Sequence, residues 1–238
     1  MELHVLGMNG PFPEPGGATS GYLLVSGETR ICLDLGCGTL QRLTALMAPE
    51  RLTALVFSHW HYDHTSDVLP LLYRLQATGT VLPVWGPADE KSPIRAILEQ
   101  DPGVEVHTIA PGDTVEIGDI SLTAFSAAHP IPALMYRMYG EEKVFCYTGD
   151  TNRTSGLEAF ARDADLLLAD GLFTDDTWGA GKPHLSARMC GELAAKANAK
   201  QLVITHLNPM IDKQTLLNEA REAYRTVRLA ACGDTYVI

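Results

Sequence analysis

The sequence predicts an α/β sandwich in which two β-sheets pack face to face and helices cover their outer faces. Short runs of branched and aromatic residues, bounded by glycine-containing turns, alternate with helical stretches along the whole chain. Histidines and aspartates close apolar runs in both halves, as expected where strands end at one rim of a sandwich. No repeat, low-complexity tract or linker divides residues 1–238, which we treat as a single domain.

The individual elements follow from these local patterns. Strands are predicted at Leu3–Leu6, Tyr22–Val25, Arg30–Leu35, Ala54–Phe57, Val81–Trp85, Ile120–Ala127, Met135–Tyr139, Val144–Thr148, Leu166–Ala169, Leu202–Thr205 and Tyr236–Ile238. Helices are predicted near Thr39–Met47, Leu69–Gln76, Pro93–Glu99, Ser186–Ala197 and Thr215–Arg225. Pro70 is tolerable there because it falls near the start of its helix.

Composition limits the partners that the chain can take. Lys and Arg total 18 against 29 Asp and Glu, a net charge of −11, which argues against extended nucleic-acid binding because that rests on cations neutralising phosphates. The start lacks a secretion signal, and no apolar run approaches the roughly 20 residues that cross a bilayer. We therefore expect a cytoplasmic protein with no membrane partner. Its five cysteines form no C-x-x-C pair, which argues against a disulfide framework.

A dense cluster of metal-ligand residue types follows the apolar run LTALVF. Residues 58–64 read SHWHYDH, the pattern H-x-H-x-D-H. In an extended segment, residues two apart point the same way, so His59 and His61 can converge on one ion. Asp63 and His64 follow at an expected bend and can face a neighbouring ion. Imidazole and carboxylate ligands suit zinc, with iron or manganese as alternatives.

Three further residues each close an apolar β run in the second half. His129 ends SLTAFSAAH, Asp150 ends VFCYTGD, and His206 ends QLVITH. Each alone could be an ordinary hydrogen-bonded residue at a sheet rim. Together with the first cluster they complete the ligands for two metal ions.

This ordered set resembles the metallo-β-lactamase superfamily, and within it the ribonuclease Z-like phosphodiesterase branch and its short bacterial relatives. The resemblance runs along nearly the whole chain. It is carried by VLGMNGPFPEPGGATSGYLL, CLDLGCGT, SHWHYDH, AAHPIPALMYRM, YTGDT, PHLS and ITH. The first cluster is highly specific for the superfamily, whereas PHLS points to the branch less strongly. The resemblance implies an αββα sandwich and a metal-dependent hydrolase.

Carried over residue by residue, the resemblance assigns the ligands to two divalent ions, zinc being favoured over manganese or iron. His59, His61 and His129 would bind one ion, and Asp63, His64 and His206 the other. Asp150 would bridge the two ions, and Asp63 is also expected to take part in catalysis. Asp34, in LDLG, would orient a ligand histidine or fix the loop, unless it only stabilises its own turn.

His184, in GKPHLS, matches the branch's catalytic histidine and lies outside the predicted ligand set. Two cations on one water explain how a nucleophile forms near neutral pH, but the departing oxygen still needs a proton. A histidine can supply it because its pKa lies near operating pH. The chain departs from the branch at Asp170, where many members carry a glutamate, so the resemblance alone gives His184 no partner.

We therefore expect a phosphodiesterase acting on a small-molecule or short phosphodiester, which can be cyclic. A homodimer is a possible assembly. The alternatives are a lactone or thioester hydrolase of the same superfamily, a transfer-RNA 3′-processing endonuclease and a non-catalytic metal-binding protein. The segment between YTGDT and PHLS leaves no room for a tRNA-gripping arm. Trp60 and Tyr62 are expected to pack under the metal loop rather than to stack on a substrate base. His4 and His107 are expected to be structural or solvated.

Overall fold

The computed structural model of the protein describes all 238 residues. Its strands are β1 Glu2–Gly7, β2 Gly21–Ser26, β3 Thr29–Leu35, β4 Ala54–Val56, β5 Leu82–Gly86, β6 Val104–Thr108, β7 Thr114–Ile117, β8 Ile120–Ser126, β9 Leu134–Gly140, β10 Lys143–Tyr147, β11 Leu166–Asp170, β12 Leu202–Thr205, β13 Arg228–Leu229 and β14 Thr235–Val237. Its helices are α1 Thr39–Leu46, α2 Tyr62–Thr65, α3 Val68–Thr78, α4 Pro93–Leu98, α5 Leu157–Ala161, α6 Ala187–Lys196 and α7 Lys213–Ala223.

The strands form two seven-stranded sheets that confirm the predicted α/β sandwich. The first has the order β14-β1-β2-β3-β4-β5-β6, and the second the order β13-β12-β11-β10-β9-β8-β7. In both sheets an antiparallel hairpin region adjoins a parallel region, which spans β3 to β6 in the first sheet and β10 to β13 in the second. Parallel neighbours need crossover connections, and helices supply several of them.

Side-chain alternation along each strand separates two hydrophobic cores. In β3, Ile31 and Leu33 join the core between the sheets, while Cys32 faces the opposite way into a smaller core. That smaller core packs the first sheet against helices α1, α3 and α4, through residues such as Leu43 and Leu71. Helices α5, α6 and α7 cover the second sheet. Helices thus lie outside both sheets, the αββα arrangement.

The predicted elements match the structure well where the apolar pattern is strong. The prediction did not delimit β6, β7, α5 or the two-residue β13, and it expected a bend where α2 forms. Alternating exposed residues weaken the pattern in β6 and β7, and α5 is only five residues long. No helix in the structure is both long and apolar enough to span a membrane.

Candidate metal centre

The first histidine cluster lies in the loop that leaves β4. Residues 59–61 have no regular secondary structure, and His59 Nε2 lies 3.0 Å from His61 Nδ1. Asp63 and His64 lie in the single-turn helix α2 rather than at the simple bend that we expected. The helical turn directs Asp63 and His64 away from His59 and His61. The short motif therefore contributes side chains to two neighbouring groups of candidate ligands.

One group of ligand atoms combines the loop with the second half of the chain. The ring of His129, which follows β8, brings Nε2 to 3.0 Å from His61 Nδ1. His59 Nε2 lies 3.6 Å from Asp150 Oδ2. Burial lowers the pKa of His129 to about 4 and that of His59 well below its usual value, so both rings are neutral and can offer a lone pair. Three imidazoles and one carboxylate oxygen could hold one metal ion.

A second group shares Asp150 through its other oxygen. Asp150 Oδ1 lies 3.3 Å from His64 Nε2 and 3.4 Å from His206 Nδ1. Asp63 Oδ2 lies 3.7 Å from His64 Nε2 and 3.8 Å from His206 Nε2. The His64 Nε2 atom is fully buried yet has no hydrogen-bond partner. Since buried polar atoms are normally paired, this unpaired nitrogen at the centre of the group fits a metal ligand.

Asp34 supports this second group through hydrogen-bond contacts with His64 and with the preceding loop. Its Oδ2 lies 2.8 Å from His64 Nδ1 and accepts a hydrogen bond from the Tyr147 hydroxyl at 2.6 Å, while Oδ1 accepts from the Ser58 N–H at 2.7 Å. Asp34 therefore both orients a histidine of the group and fixes the loop. Burial lowers the pKa of His64, but Asp150, Asp34 and Asp63 outweigh it and hold the net pKa well above its usual value. These three carboxylates create a negative potential that a bound cation would neutralise.

His184 lies beside both groups and contacts a carboxylate that belongs to neither of them. Its Nδ1 lies 2.8 Å from Asp170 Oδ2, at the end of β11, so Asp170 is the partner that the resemblance left open. Nε2 is then the nitrogen free for proton transfer. Burial lowers the pKa of His184, but the Asp170 carboxylate outweighs burial and raises the net pKa to about 9. Asp170 thus favours the protonated form of the imidazole next to the candidate ligands.

Several supporting contacts could not be read from the sequence. Ser20 Oγ lies 3.1 Å from His206 Nδ1, and the Pro183 carbonyl lies 3.3 Å from His129 Nδ1. A β-carbon on Gly10 would come within 2.1 Å of the His206 Nε2 atom, so only glycine lets the backbone lie against this ring. The glycine-rich turn after β1 was the one available signal for these contacts.

The remaining aromatic and histidine residues divide between packing and exposure. Trp60 is buried against Phe57 and donates to the Pro87 carbonyl, as expected. The same expectation was wrong for Tyr62, which is 65% exposed because the turn of α2 directs it outward. His107 stacks on Trp85, with ring centroids 4.4 Å apart, in keeping with a structural role.

Fold and site together define a family of metal-dependent hydrolases. The profile of the β-lactamase superfamily domain matches residues 29–207. The chain is 30% identical over 243 residues to the "probable metallo-hydrolase YhfI" of Bacillus subtilis, covering 98% of each chain. The crystal structure of that protein superposes with a TM-score of 0.94 at 28% identity, covering 99% of this chain and 98% of YhfI.

One further sequence relative is a ribonuclease Z, and one further solved structure shares the fold. A ribonuclease Z of Methanopyrus kandleri is 25% identical over 268 residues, covering 97% of this chain and 95% of the relative. The structure of a diphosphatase from the PhnP family superposes with a TM-score of 0.76 at 18% identity, covering 100% of this chain and 97% of that one, which shows the shared fold. The protein belongs to the metallo-β-lactamase superfamily, in its ribonuclease Z-like branch, and is a metal-dependent hydrolase.

Proposed function

We propose that the protein is a phosphodiesterase that holds two divalent metal ions, zinc in the first instance, and hydrolyses a small or cyclic phosphodiester. The observation that carries this proposal is the His184–Asp170 pair, 2.8 Å apart beside the ligand groups. Hydrolysis of an ester of an alcohol leaves an alkoxide, which is a poor leaving group without a proton. A buried histidine held protonated by a carboxylate supplies what that reaction needs.

The proposed ligands fall into two sets joined by one residue. His59, His61 and His129 would hold one ion, Asp63, His64 and His206 the other, and the two oxygens of Asp150 face one set each. Bound divalent cations would supply Lewis acidity toward the phosphoryl oxygens and favour ionisation of a water molecule. With manganese or iron in place of zinc, the same imidazole and carboxylate donors would serve.

The protein's own groups then handle the protons. The Asp63 carboxylate, which is partly exposed and lies beside His64 and His206, would accept the proton of the attacking water. As the new phosphorus–oxygen bond forms, the bond to the departing oxygen breaks. His184 Nε2 delivers its proton to that oxygen, while Asp170 holds Nδ1 and stabilises the charged ring. The products are a phosphomonoester and an alcohol, which remain one molecule when the substrate is cyclic.

Processing of transfer RNA is the activity that the name of the Methanopyrus relative suggests. Between β10 and α6 this chain contains α5, β11 and connecting loops, with no additional element that could reach out to a large RNA. The net charge of −11 also opposes an extended phosphate footprint. A small substrate is therefore the better-supported proposal.

Substitution of His184 tests the proposal. We expect His184→Ala to retain its metals and to lose about 10²–10⁴-fold in kcat on diesters that leave as alkoxides, the usual worth of acid–base assistance. The loss should be much smaller for bis(p-nitrophenyl) phosphate, because p-nitrophenolate needs little protonation. His107→Ala, a histidine outside the site, is the matched control. Equal losses on both substrate types would indicate a positioning role instead.

The same metal-loaded preparation should be assayed on lactones, thioesters and precursor tRNA. Phosphodiester turnover without lactone or thioester cleavage is the expected pattern. Lactone or thioester turnover with no phosphodiester turnover would overturn the proposal and favour another ester hydrolase of the superfamily. Efficient cleavage of precursor tRNA alone would favour the processing endonuclease.

A further inference from the structure

Two cavities of similar size share His129 and Pro130 in their walls. One, of about 490 Å³, also includes Trp178, Arg153, Lys182 and Pro183. The other, of about 480 Å³, is lined mainly by small and apolar residues and contains no charged side chain except the titratable His129. Both volumes fall in the range of small-molecule sites, so their chemistry must distinguish their roles.

The first cavity, which we call the Trp178 cavity, is cationic in an acidic protein. Its ten lining residues include Arg153 and Lys182 but no carboxylate, although acidic residues exceed basic ones by 29 to 18 in the chain. Both cations are exposed, and the Arg153 guanidinium lies 5.3 Å from the Trp178 ring. Arg153 also pairs with Glu192 at 3.6 Å, an exposed contact that a ligand can displace.

The indole of Trp178 is held in place rather than freely mobile. Its Nε1 donates to the His184 carbonyl at 3.1 Å and lies 3.3 Å from Asn152 Oδ1. Asn152 in turn donates to the Lys182 carbonyl, which closes the loop around the ring. The ring is half-buried against the core, so it offers a fixed aromatic surface to the cavity.

The wall of the Trp178 cavity also includes the residue that precedes the proposed proton donor. Pro183 and His129 belong to its wall, the Pro183 carbonyl contacts His129 Nδ1, and the next residue along the chain is the proposed proton donor His184. We infer that the Trp178 cavity binds the leaving-group side of the substrate and selects the nucleoside part of a nucleotide phosphodiester, with its base stacked on Trp178. This inference rests on the proposed function.

A nucleotide fits because it joins a flat ring to an anionic phosphate. The base can take the place of the Arg153 guanidinium on the indole, and the freed guanidinium and Lys182 can then pair with phosphate oxygens. Base stacking on an aromatic side chain tolerates any base. Asn152 is occupied by its loop contacts, so we expect selectivity for nucleotides over other phosphate esters with little preference among bases.

Tryptophan fluorescence of the metal-loaded enzyme titrated with adenosine 5′-monophosphate tests the inference directly. Trp60 is buried and Trp85 is stacked on His107, so quenching should come from Trp178. Trp178→Phe should lose the quenching and keep most of the affinity measured by calorimetry. Trp178→Leu should weaken binding about tenfold, as expected for loss of a base–aromatic stack. Arg153→Ala should weaken it by about threefold to tenfold, and Arg225→Ala, an exposed arginine after α7, should not.

Two sets of results would overturn the inference. One is unchanged affinity in both Trp178→Leu and Arg153→Ala, or no binding to the wild-type enzyme. The other is quenching that persists in Trp178→Phe, which would place the base on another tryptophan. Phosphodiester turnover is measured in the same preparations. Nucleotide binding at Trp178 without phosphodiester turnover would contradict the proposed function but support the binding site.

Discussion

The two ligand groups differ in how firmly the protein holds them. Around Asp63, His64 and His206 the histidine rings are buried, and Asp34 and Ser20 contact the Nδ1 atoms of the two histidines. In the other group His59 is also buried, but His61 and His129 are only half-buried, and His129 lines both cavities. Supporting contacts fix the orientation and basicity of ligands. We therefore expect the buried group to hold its proposed ion more firmly than the more open group does.

Asp150 is the residue that joins the two groups, and removing it should have the largest effect. We expect Asp150→Ala to weaken metal binding in both groups and to abolish activity, because each group loses one carboxylate oxygen. Asp63→Asn is the matched control and should weaken binding only in the buried group. Elemental analysis after dialysis gives the metal content of each variant. An Asp150→Ala protein that keeps two ions per chain would show that the groups are independent.

The His184–Asp170 pair predicts a pH limit that belongs to neither ligand group. The pKa of His184 is raised to about 9, so the imidazolium is present below that pH and is lost as pH rises through it. Bound cations disfavour the imidazolium, so kcat for alkoxide-leaving diesters should begin to fall at or below about pH 9.

Asp170→Asn removes the carboxylate that stabilises the imidazolium and should move that fall to lower pH. Profiles of kcat against pH for the wild-type and Asp170→Asn enzymes measure this shift. A p-nitrophenyl diester is the control substrate, because its kcat should depend little on the protonation of His184. If kcat of Asp170→Asn falls at the same pH as that of the wild-type enzyme, the titrating group is not His184.

A smaller effect should separate the buried group from the open one. Tyr147→Phe removes the hydroxyl that donates to Asp34 at 2.6 Å. Loss of a direct partner of a ligand typically costs about 10–100-fold in metal affinity, and we expect a smaller loss here because Tyr147 acts through Asp34. Only the buried group should weaken. Tyr136→Phe is the matched control, since its buried hydroxyl donates to the Phe57 carbonyl instead. Equal weakening in both variants, or in both ligand groups, would contradict the assigned role of Tyr147.

The contrast between the groups also explains what the sequence could predict. The ligand residue types were visible because SHWHYDH is contiguous and His129, Asp150 and His206 each close an apolar run. The role of Asp34 was expected from the resemblance, but its contact with Tyr147 was not, since the two residues lie 113 positions apart on different sheets. Tyr147 resembles any other buried strand residue until the sheets pack. Tyr62 was misassigned because one helical turn reverses the inward direction that an extended loop would give.

We propose a metal centre in which two ions share the Asp150 carboxylate. Anomalous diffraction from crystals of the wild-type protein loaded with zinc tests it most directly. We predict two ions per chain about 3.5–4 Å apart, with one oxygen of Asp150 on each. Histidine nitrogens should lie about 2.0–2.1 Å from the zinc. A single ion, or two ions of which only one contacts Asp150, would contradict the claim.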